Sequence, residues 1–201
     1  MKIQKSAAAI AIIVVVAAVF LALNDSNRPK GEGDKNMNAA TVIIETSVGK
    51  IELELYPDKA PITVKNFLGY VDEGFYAGTV FHRVIPGFMI QGGGFIPDGT
   101  RKETHSPIKL ESNNGLKNKV GAIAMARTNI PDSATSQFFI NIADNSPLDY
   151  TPGNDGYAVF GTVIKGMDVV NAIVSVKTST RDGNGDWPVE DVVIKKVSVK
   201  V

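Results

Sequence analysis

Apolar and polar residues alternate over many short stretches of the chain, which is the pattern of β-strands with one buried face. Residues 51–55 alternate between aliphatic residues and glutamates, and residues 42–44 precede them across a turn at residues 47–49, which predicts a hairpin. Residues 96–119 are rich in Pro, Gly, Asn, Lys and Thr and are predicted to be mostly loop. Further strands are predicted at residues 81–85, 121–127, 137–142, 157–164 and 192–201.

Two stretches depart from this alternation and repeat their apolar residues at the spacing of an α-helix. Pro61 suits the first turn of the first helix, and Gly74 suits its end. Many short strands, two helices and no βαβ repeat predict a mainly β protein with an antiparallel sheet closed on itself. The apolar helix positions are Val64, Phe67, Leu68 and Val71 in the first helix, and Met167, Val170, Ile173 and Val174 in the second.

The amino-terminal segment has a different pattern. Lys2 and Lys5 precede an uncharged run at residues 6–23, of which ten are Ile, Val, Leu or Phe and seven are Ala. As a helix this run is about 27 Å long, close to the roughly 30 Å hydrocarbon thickness of a bilayer. We therefore predict one N-terminal transmembrane helix that anchors the chain in the bacterial inner membrane.

A cleaved secretory signal is the alternative for this segment, which would leave the protein soluble in the periplasm. Signal peptides have an apolar core of about 7 to 15 residues followed by small residues. Here the run is longer, and Phe20, Leu21 and Leu23 are large residues near its end. In both cases we expect the folded domain, residues 41–201, to face the periplasm or the cell exterior. Residues 24–40 are polar and are predicted to be a flexible linker.

Composition excludes several classes of function. Lys and Arg total 21 and Asp and Glu total 21, so net charge does not draw the protein to nucleic acid. The chain has no cysteine, which excludes disulfides and thiolate chemistry, and it has only two histidines, so we expect no metal site and no cofactor. Residues 182–186 begin like a calcium loop, but Trp187 stands where that loop needs Gly, so a turn is predicted there.

Residues 81–95, with the sequence FHRVIPGFMIQGGGF, carry the strongest candidate chemistry. Strand alternation predicts Arg83 on one face and His82 on the opposite face, where a structural histidine is expected. A Pro-Gly turn at residues 86–87 then folds the following segment back beside the strand, and three consecutive glycines at residues 92–94 allow a close backbone approach. The pattern predicts a shallow apolar surface edged by a fixed cation and an amide, formed by Arg83, Phe88, Met89 and Gln91.

Together with a second block, AMAR at residues 124–127 and SQFFIN at residues 136–141, this stretch resembles the cyclophilin family of peptidyl-prolyl isomerases. The similarity extends from residue 41 to residue 201 and is greatest to the bacterial periplasmic cyclophilins. The resemblance implies a closed antiparallel eight-stranded barrel capped by two α-helices. It also implies that the protein catalyses cis-trans isomerisation of X-Pro bonds in unfolded or partly folded proteins. We expect the protein to be a monomer.

The resemblance also assigns the site residues. As catalytic residues it implies Arg83, Phe88, Gln91 and Phe139, with Arg83 weakening the amide resonance of the X-Pro bond. As substrate-binding residues it implies Met89, Ala126, Arg127, Thr128, Gln137, Leu148 and Tyr157.

Three positions depart from the usual residues of the family. Pro147 stands where Trp is common, Tyr157 where His is common, and Arg127 where Asn is common, so the resemblance does not extend to tight binding of the cyclic peptide drug that many cyclophilins recognise. The catalytic positions are unaffected. Two alternatives remain open from the sequence: a non-catalytic proline-binding chaperone or assembly module, and a structural subunit of a larger complex.

Overall fold

The computed structural model describes residues 40–200 of the 201-residue chain. The described part is mainly β, with two α-helices and two single-turn 3-10 helices at Pro131–Ser133 and Ser146–Leu148. In chain order its elements are β1 (Thr41–Thr46), β2 (Lys50–Leu55), α1 (Pro61–Asp72), β3 (Phe81–Ile85), β4 (Met89–Gly92), β5 (Ala122–Met125), β6 (Phe138–Asn141), β7 (Val159–Lys165), α2 (Met167–Val174), β8 (Thr178–Arg181), β9 (Asn184–Pro188) and β10 (Ile194–Val199).

Eight strands form one sheet in the order β10-β1-β2-β7-β5-β6-β4-β3, and every neighbouring pair is antiparallel. The sheet curls into a half-barrel. Its edge strands β3 and β10 share no ladder, because they meet only at their ends, where Phe81 N donates to Val192 O at 3.0 Å and Val80 forms a bridge with Val193. The prediction of eight antiparallel strands is confirmed. The sheet is a half-barrel and not the predicted closed barrel, although these few contacts link its two edges.

Helix α1 begins and ends where the sequence predicts. Pro61 lies in its first turn, and Gly74, with φ of +67°, follows its end. Its buried face includes Phe67, whose ring lies 5.7 Å from the ring of Phe138 and 5.2 Å from that of Phe160. The helix therefore packs its apolar stripe on the inner face of the curled sheet, which places the main core on one side of β4, β5 and β6.

The strands β8 and β9 form a separate two-stranded hairpin that the sequence pattern does not predict. Asp182, with φ of +49°, and Gly183, with φ of +79°, occupy its turn, so the turn predicted at residues 182–186 is confirmed and belongs to this hairpin. Positive φ at both central residues is typical of the tight turn that best matches strand twist. The hairpin lies against β3 and so reaches the site described below.

No helix within residues 40–200 is long and apolar enough to cross a membrane. The predicted transmembrane segment, residues 6–23, and the predicted linker up to residue 39 lie outside the described residues.

Candidate active site

Strand β3 carries a bulge that sets the orientation of the site's cation. Phe81 pairs with Gly92 and Arg83 pairs with Gln91, so His82 is an extra residue in the ladder. Because a bulge breaks the alternation of side chains, Phe81 lies in the main core while both His82 and Arg83 line the same cavity. The prediction that His82 lies on the face opposite Arg83 is therefore wrong.

The cavity beside β3 and β4 has a volume of about 610 Å³. It brings together ten of the eleven site residues predicted from the sequence, drawn from five separated segments of the chain. They are Arg83, Phe88, Met89, Gln91, Ala126, Arg127, Gln137, Phe139, Leu148 and Tyr157. Thr128 does not line it and lies instead in an adjoining cavity of about 170 Å³, next to Arg101 and Ser133.

The floor of the main cavity is apolar. Met89 and Phe139 are 2% and 4% exposed and belong to a small hydrophobic cluster on the opposite side of the sheet from the main core. Phe88 and Leu148 pack against this cluster and remain partly accessible from the cavity. A partly accessible apolar floor with polar groups at its edges is suited to binding a ring such as that of proline.

A hydrogen bond between two glutamines connects β4 to the segment before β6 at the edge of the cavity. Gln91 Nε2 donates a hydrogen bond of 2.8 Å to Gln137 Oε1 and lies 3.5 Å from His82 Nε2. A Cβ atom at Gly94 would lie only 2.5 Å from the Gln137 side chain, so glycine at this position permits the close approach. The sequence predicted a close approach at the three consecutive glycines, residues 92–94, and at Gly94 the group that approaches closely is the Gln137 side chain.

Arg127 is fixed within the cavity wall. Its Nε donates to the carbonyl of Gly156 at 2.9 Å, and its Nη1 donates to the carbonyl of Thr128 at 2.8 Å. The guanidinium also lies 4.7 Å from the ring centre of Tyr157, which in turn meets Phe139 edge to face at 5.6 Å. Arg127 and Tyr157, which depart from the usual residues of the family, therefore form one contact pair.

A buried network of asparagines supports the cavity wall from behind. Asn145 Nδ2 donates to the carbonyl of Phe88 at 2.9 Å and to Asn141 Oδ1 at 2.6 Å. Asn118 Nδ2 donates to the carbonyl of Leu148 at 3.0 Å, and Asn118 Oδ1 accepts from Asn141 Nδ2 at 3.2 Å. The backbones of two wall residues, Phe88 and Leu148, are thus held by a single chain of side-chain amides.

Arg83 lies at the rim of the cavity with 44% of its side chain exposed, and its Nε is 3.9 Å from Asp186 Oδ2. The neighbouring His82 is 5% exposed. The pKa of His82 is lowered to about 4, mainly by burial and also by the charges of Arg83 and Arg101. His82 is therefore neutral at physiological pH, and the cations that line the cavity are Arg127, held in the wall, and Arg83, exposed at the rim.

The sequence did not predict the side of the main cavity that faces its apolar floor. His82, Phe95 and the hairpin tip at residues 183–186 also line the main cavity. The Asp-Gly pair at residues 182–183 is the signal that could have revealed a hairpin. Nothing in the sequence pattern shows that this hairpin folds onto β3. Within residues 40–200 no group of three His, Cys, Asp or Glu side chains is arranged to bind a metal ion.

Residues 41–199 match the family of cyclophilin type peptidyl-prolyl cis-trans isomerases. The chain belongs to the cyclophilin family. A peptidyl-prolyl cis-trans isomerase of Acinetobacter baylyi is 57% identical over 159 residues, which cover 79% of this chain and 85% of the relative. Peptidyl-prolyl cis-trans isomerase B of Escherichia coli is 53% identical over 161 residues, covering 79% of this chain and 98% of the relative. This cyclophilin is accordingly a peptidyl-prolyl cis-trans isomerase.

Solved structures agree with this assignment. A Cryptosporidium parvum cyclophilin type isomerase has a TM-score of 0.72 at 30% identity, covering 82% of this chain and 99% of the other. A second structure of that protein, determined in the presence of the dipeptide Ala-Pro, has a TM-score of 0.70 at 30% identity, covering 80% and 99%. The half-barrel and the two helices therefore form the cyclophilin fold.

Proposed function

We propose that this cyclophilin isomerises X-Pro bonds in unfolded or partly folded proteins outside the cytoplasm, with Arg83 as the group that lowers the barrier. The observation that carries the proposal is the position of Arg83, a cation at the rim of an apolar cavity floored by Met89 and Phe139. A proline ring on that floor brings its amide nitrogen to the rim.

The reaction requires no nucleophile and no proton transfer. Resonance in the X-Pro amide sets a barrier of roughly 18–20 kcal/mol, although the cis and trans forms differ by only about 0.5–1 kcal/mol. When the bond twists, resonance is lost and the prolyl nitrogen becomes pyramidal with a localised lone pair. A group that binds this nitrogen better in the twisted form than in the planar form lowers the barrier.

Arg83 has the properties that this role requires. A guanidinium remains charged at every working pH, donates through a rigid planar fork, and is strengthened beside an apolar surface that excludes water. Each tenfold increase in rate corresponds to a barrier lowered by about 1.4 kcal/mol, so stabilising the twisted state by about 5 kcal/mol gives roughly 10⁴-fold acceleration. Arg83 and the desolvating floor together provide an effect of this size.

The remaining residues hold the substrate. Phe88, Met89, Phe139 and Leu148 bind the proline ring, and Gln91, oriented by its hydrogen bond to Gln137, binds a substrate carbonyl. The backbone around Arg127 pairs with an extended peptide that continues along Ala126 and Thr128 toward the adjoining cavity. The Ala-Pro dipeptide present with the Cryptosporidium relative supports a substrate of this chemistry. No cofactor takes part.

The proposed location rests on residues 6–23, an uncharged apolar run preceded by two lysines. This segment anchors the protein in the inner membrane as a single span, and the isomerase domain faces the periplasm. Clients are then exported chains whose prolines have not reached their native isomer. Slow prolyl isomerisation limits the folding of such chains over roughly 10–100 s, which gives an isomerase at the membrane a direct role. The protein acts as a monomer.

The absence of cysteine gives a direct test of this location. A single cysteine placed at the exposed Asp155 reacts, in intact cells, with a thiol reagent that does not cross the inner membrane. A second single cysteine in place of Gln4 is the control, since it lies before the span and is expected to stay unlabelled until cells are broken. Labelling of both only after lysis contradicts an extracytoplasmic domain. Recovery in the soluble periplasmic fraction with a shortened N-terminus identifies a cleaved signal.

The alternative function is a chaperone that grips proline segments without catalysis. The two are separated by refolding a client whose slow phase is prolyl isomerisation. An isomerase shortens that phase at catalytic amounts, and Arg83→Ala abolishes the effect. A gripping module suppresses aggregation only near equal amounts of client, with no dependence on Arg83.

A further inference from the structure

The hairpin formed by β8 and β9 reaches the proposed catalytic cation from outside the main sheet. Residues 183–186 at its tip form one wall of the cavity, facing the rim on which Arg83 lies. In this wall, Asp186 Oδ2 lies 3.9 Å from Arg83 Nε. The contact joins two residues that are more than a hundred positions apart in the chain, so the fold of the hairpin decides whether it forms.

Buried contacts hold the hairpin in this position. Trp187, next to Asp186, is fully buried, and its ring lies 5.7 Å from those of both His82 and Phe95. Trp187 Nε1 donates to Asp191 Oδ1 at 2.8 Å, and Arg181 Nη1 donates to both oxygens of the same carboxylate at 2.8 and 3.1 Å. Trp187, the residue directly after the tip, is therefore anchored against His82 of β3, and the position of Asp186 follows from that anchor.

The backbone of Asp186 has an unusual conformation. Within residues 40–200, Asp182 and Asp186 are the two residues other than glycine with positive φ, at +49° and +60°. The hairpin turn accounts for Asp182, because its turn type requires positive φ. Asp186 lies in β9 where its ladder with β8 is irregular, because Ser179 pairs with Trp187 and the next pair is Arg181 with Asn184. A bulge of this kind accounts for the positive φ, and bulges beside active sites re-aim side chains.

The ion pair between Arg83 and Asp186 contributes little to the stability of the fold. Its remaining effect is on the orientation of the Arg83 guanidinium. Both side chains are about half exposed, at 44% and 47%, and ion pairs between exposed groups are worth about 0–1 kcal/mol. The carboxylate approaches Nε, on the strand side of the guanidinium. This contact does not involve the Nη groups, which lie at the far end of the guanidinium.

We propose that Asp186 is a positioning residue that orients the Arg83 guanidinium for the twisted X-Pro bond. The inference rests on the catalytic role proposed for Arg83. Distances in a free enzyme are often longer than in the substrate complex, and the pair shortens when the peptide displaces water from the rim. Asp186 makes no contact with the reacting atoms, so its removal lowers the rate without removing the catalytic group.

The test compares the full chain, in mild detergent, with Asp186→Asn and with Asp182→Asn as the matched control. Asn tolerates positive φ as Asp does, so both variants retain the hairpin backbone. Asp182 lies in the same hairpin and does not line the cavity. Three quantities are measured: kcat and KM for exchange of an Ala-Pro peptide, and the NMR signal of the Arg83 Nε–H group.

The expected result is a fall in kcat of about two- to fivefold for Asp186→Asn, the range of an exposed ion pair, with KM nearly unchanged. The Arg83 Nε–H signal shifts in this variant and stays in place in Asp182→Asn. High salt lowers the parent rate toward that of Asp186→Asn, because exposed ion pairs are screened.

Two results overturn the proposal without touching the role of Arg83. One is an Asp186→Asn enzyme with parental kcat and an unshifted Arg83 signal. The other is a faster Asp186→Asn enzyme, which means that the carboxylate restrains Arg83. If Arg83→Ala is itself as active as the parent, the proposed catalytic role of Arg83 fails, and the positioning role fails with it.

Discussion

The side-chain amide of Asn145 donates a 2.9 Å hydrogen bond to the backbone carbonyl of Phe88, and this contact supports the wall of the main cavity from behind. The same amide donates to Asn141, which continues through Asn118 to the carbonyl of Leu148. Polar residues in a core are expensive unless every group is paired. Here the paired groups hold the backbones of two residues that line the main cavity.

We expect Asn145→Ala to weaken both stability and catalysis. The change leaves the buried side-chain oxygen of Asn141 without its donor, and the carbonyl of Phe88 keeps only the N–H of Ile142, at 3.1 Å. An unpaired buried acceptor costs about 1–3 kcal/mol of unfolding free energy. Movement of the Phe88 backbone also lowers kcat/KM by roughly tenfold or more, because small displacements of positioning groups have large effects. Urea unfolding and peptide exchange measure the two effects separately. The exposed Asn113→Ala variant is the control, and equal behaviour of the two variants contradicts the supporting role of the network.

His82 makes stability depend on pH. Its pKa is about 4 in the folded protein, against about 6.5 for an unperturbed histidine. Between these values the unfolded chain takes up a proton that the native protein does not, so unfolding becomes easier as pH falls from about 6.5 to about 4. Above pH 6.5 histidine is neutral in both states and contributes no slope.

We therefore expect His82→Gln to flatten this part of the curve, by up to roughly 1.4 kcal/mol per pH unit in the unfolding free energy. The exposed His105→Gln variant is the control for replacing a histidine elsewhere in the protein. Denaturant unfolding of the three proteins at several pH values between 4 and 7 provides the measurement. An unchanged slope in His82→Gln shows that the buried histidine does not cause it.

Gly94→Ala tests the polar edge of the cavity. The new Cβ meets the side chain of Gln137 at 2.5 Å, and this flexible side chain can move aside at modest cost. Its displacement breaks the 2.8 Å bond to Gln91, so we expect a rise in KM for the peptide with a stability loss of about 0.5–1.5 kcal/mol. Gly69→Ala, which has no atom within 4 Å of the new Cβ and lies away from the cavity, is the control for adding a methyl group. Parental KM in Gly94→Ala contradicts a role for Gln137 in holding Gln91.

Most strands and helices can be predicted because each is determined by residues within its own short segment. The alternation of residues 51–55 requires a half-buried strand, and Pro61 with Gly74 marks the ends of α1. The bulge at His82 could not be predicted in this way, since an extra residue in a ladder is defined by its partner, Gln91, and not by its own segment. This single feature reversed the predicted side of His82.

The composition of the site was predictable to a similar degree. Its floor and cation come from two blocks with many distinctive residue types, and the structure brings these blocks together through the pairing of β4 with β6. The wall at residues 183–186 was not predictable, because it depends on a tertiary contact made by Trp187, a residue that the pattern gave no role. Tertiary packing of this kind has no periodicity in the sequence.

The most direct test is the cis-trans exchange rate of a short Ala-Pro peptide with the full chain, with Arg83→Ala and with Arg83→Lys, each shown to be folded and to bind the peptide. We predict acceleration by the parent, a loss of about 10²–10³-fold in Arg83→Ala, and an intermediate loss in Arg83→Lys, which keeps the charge without the planar fork. Peptide binding is expected to persist in both variants. Acceleration by Arg83→Ala equal to that of the parent would contradict the mechanism proposed for this cyclophilin.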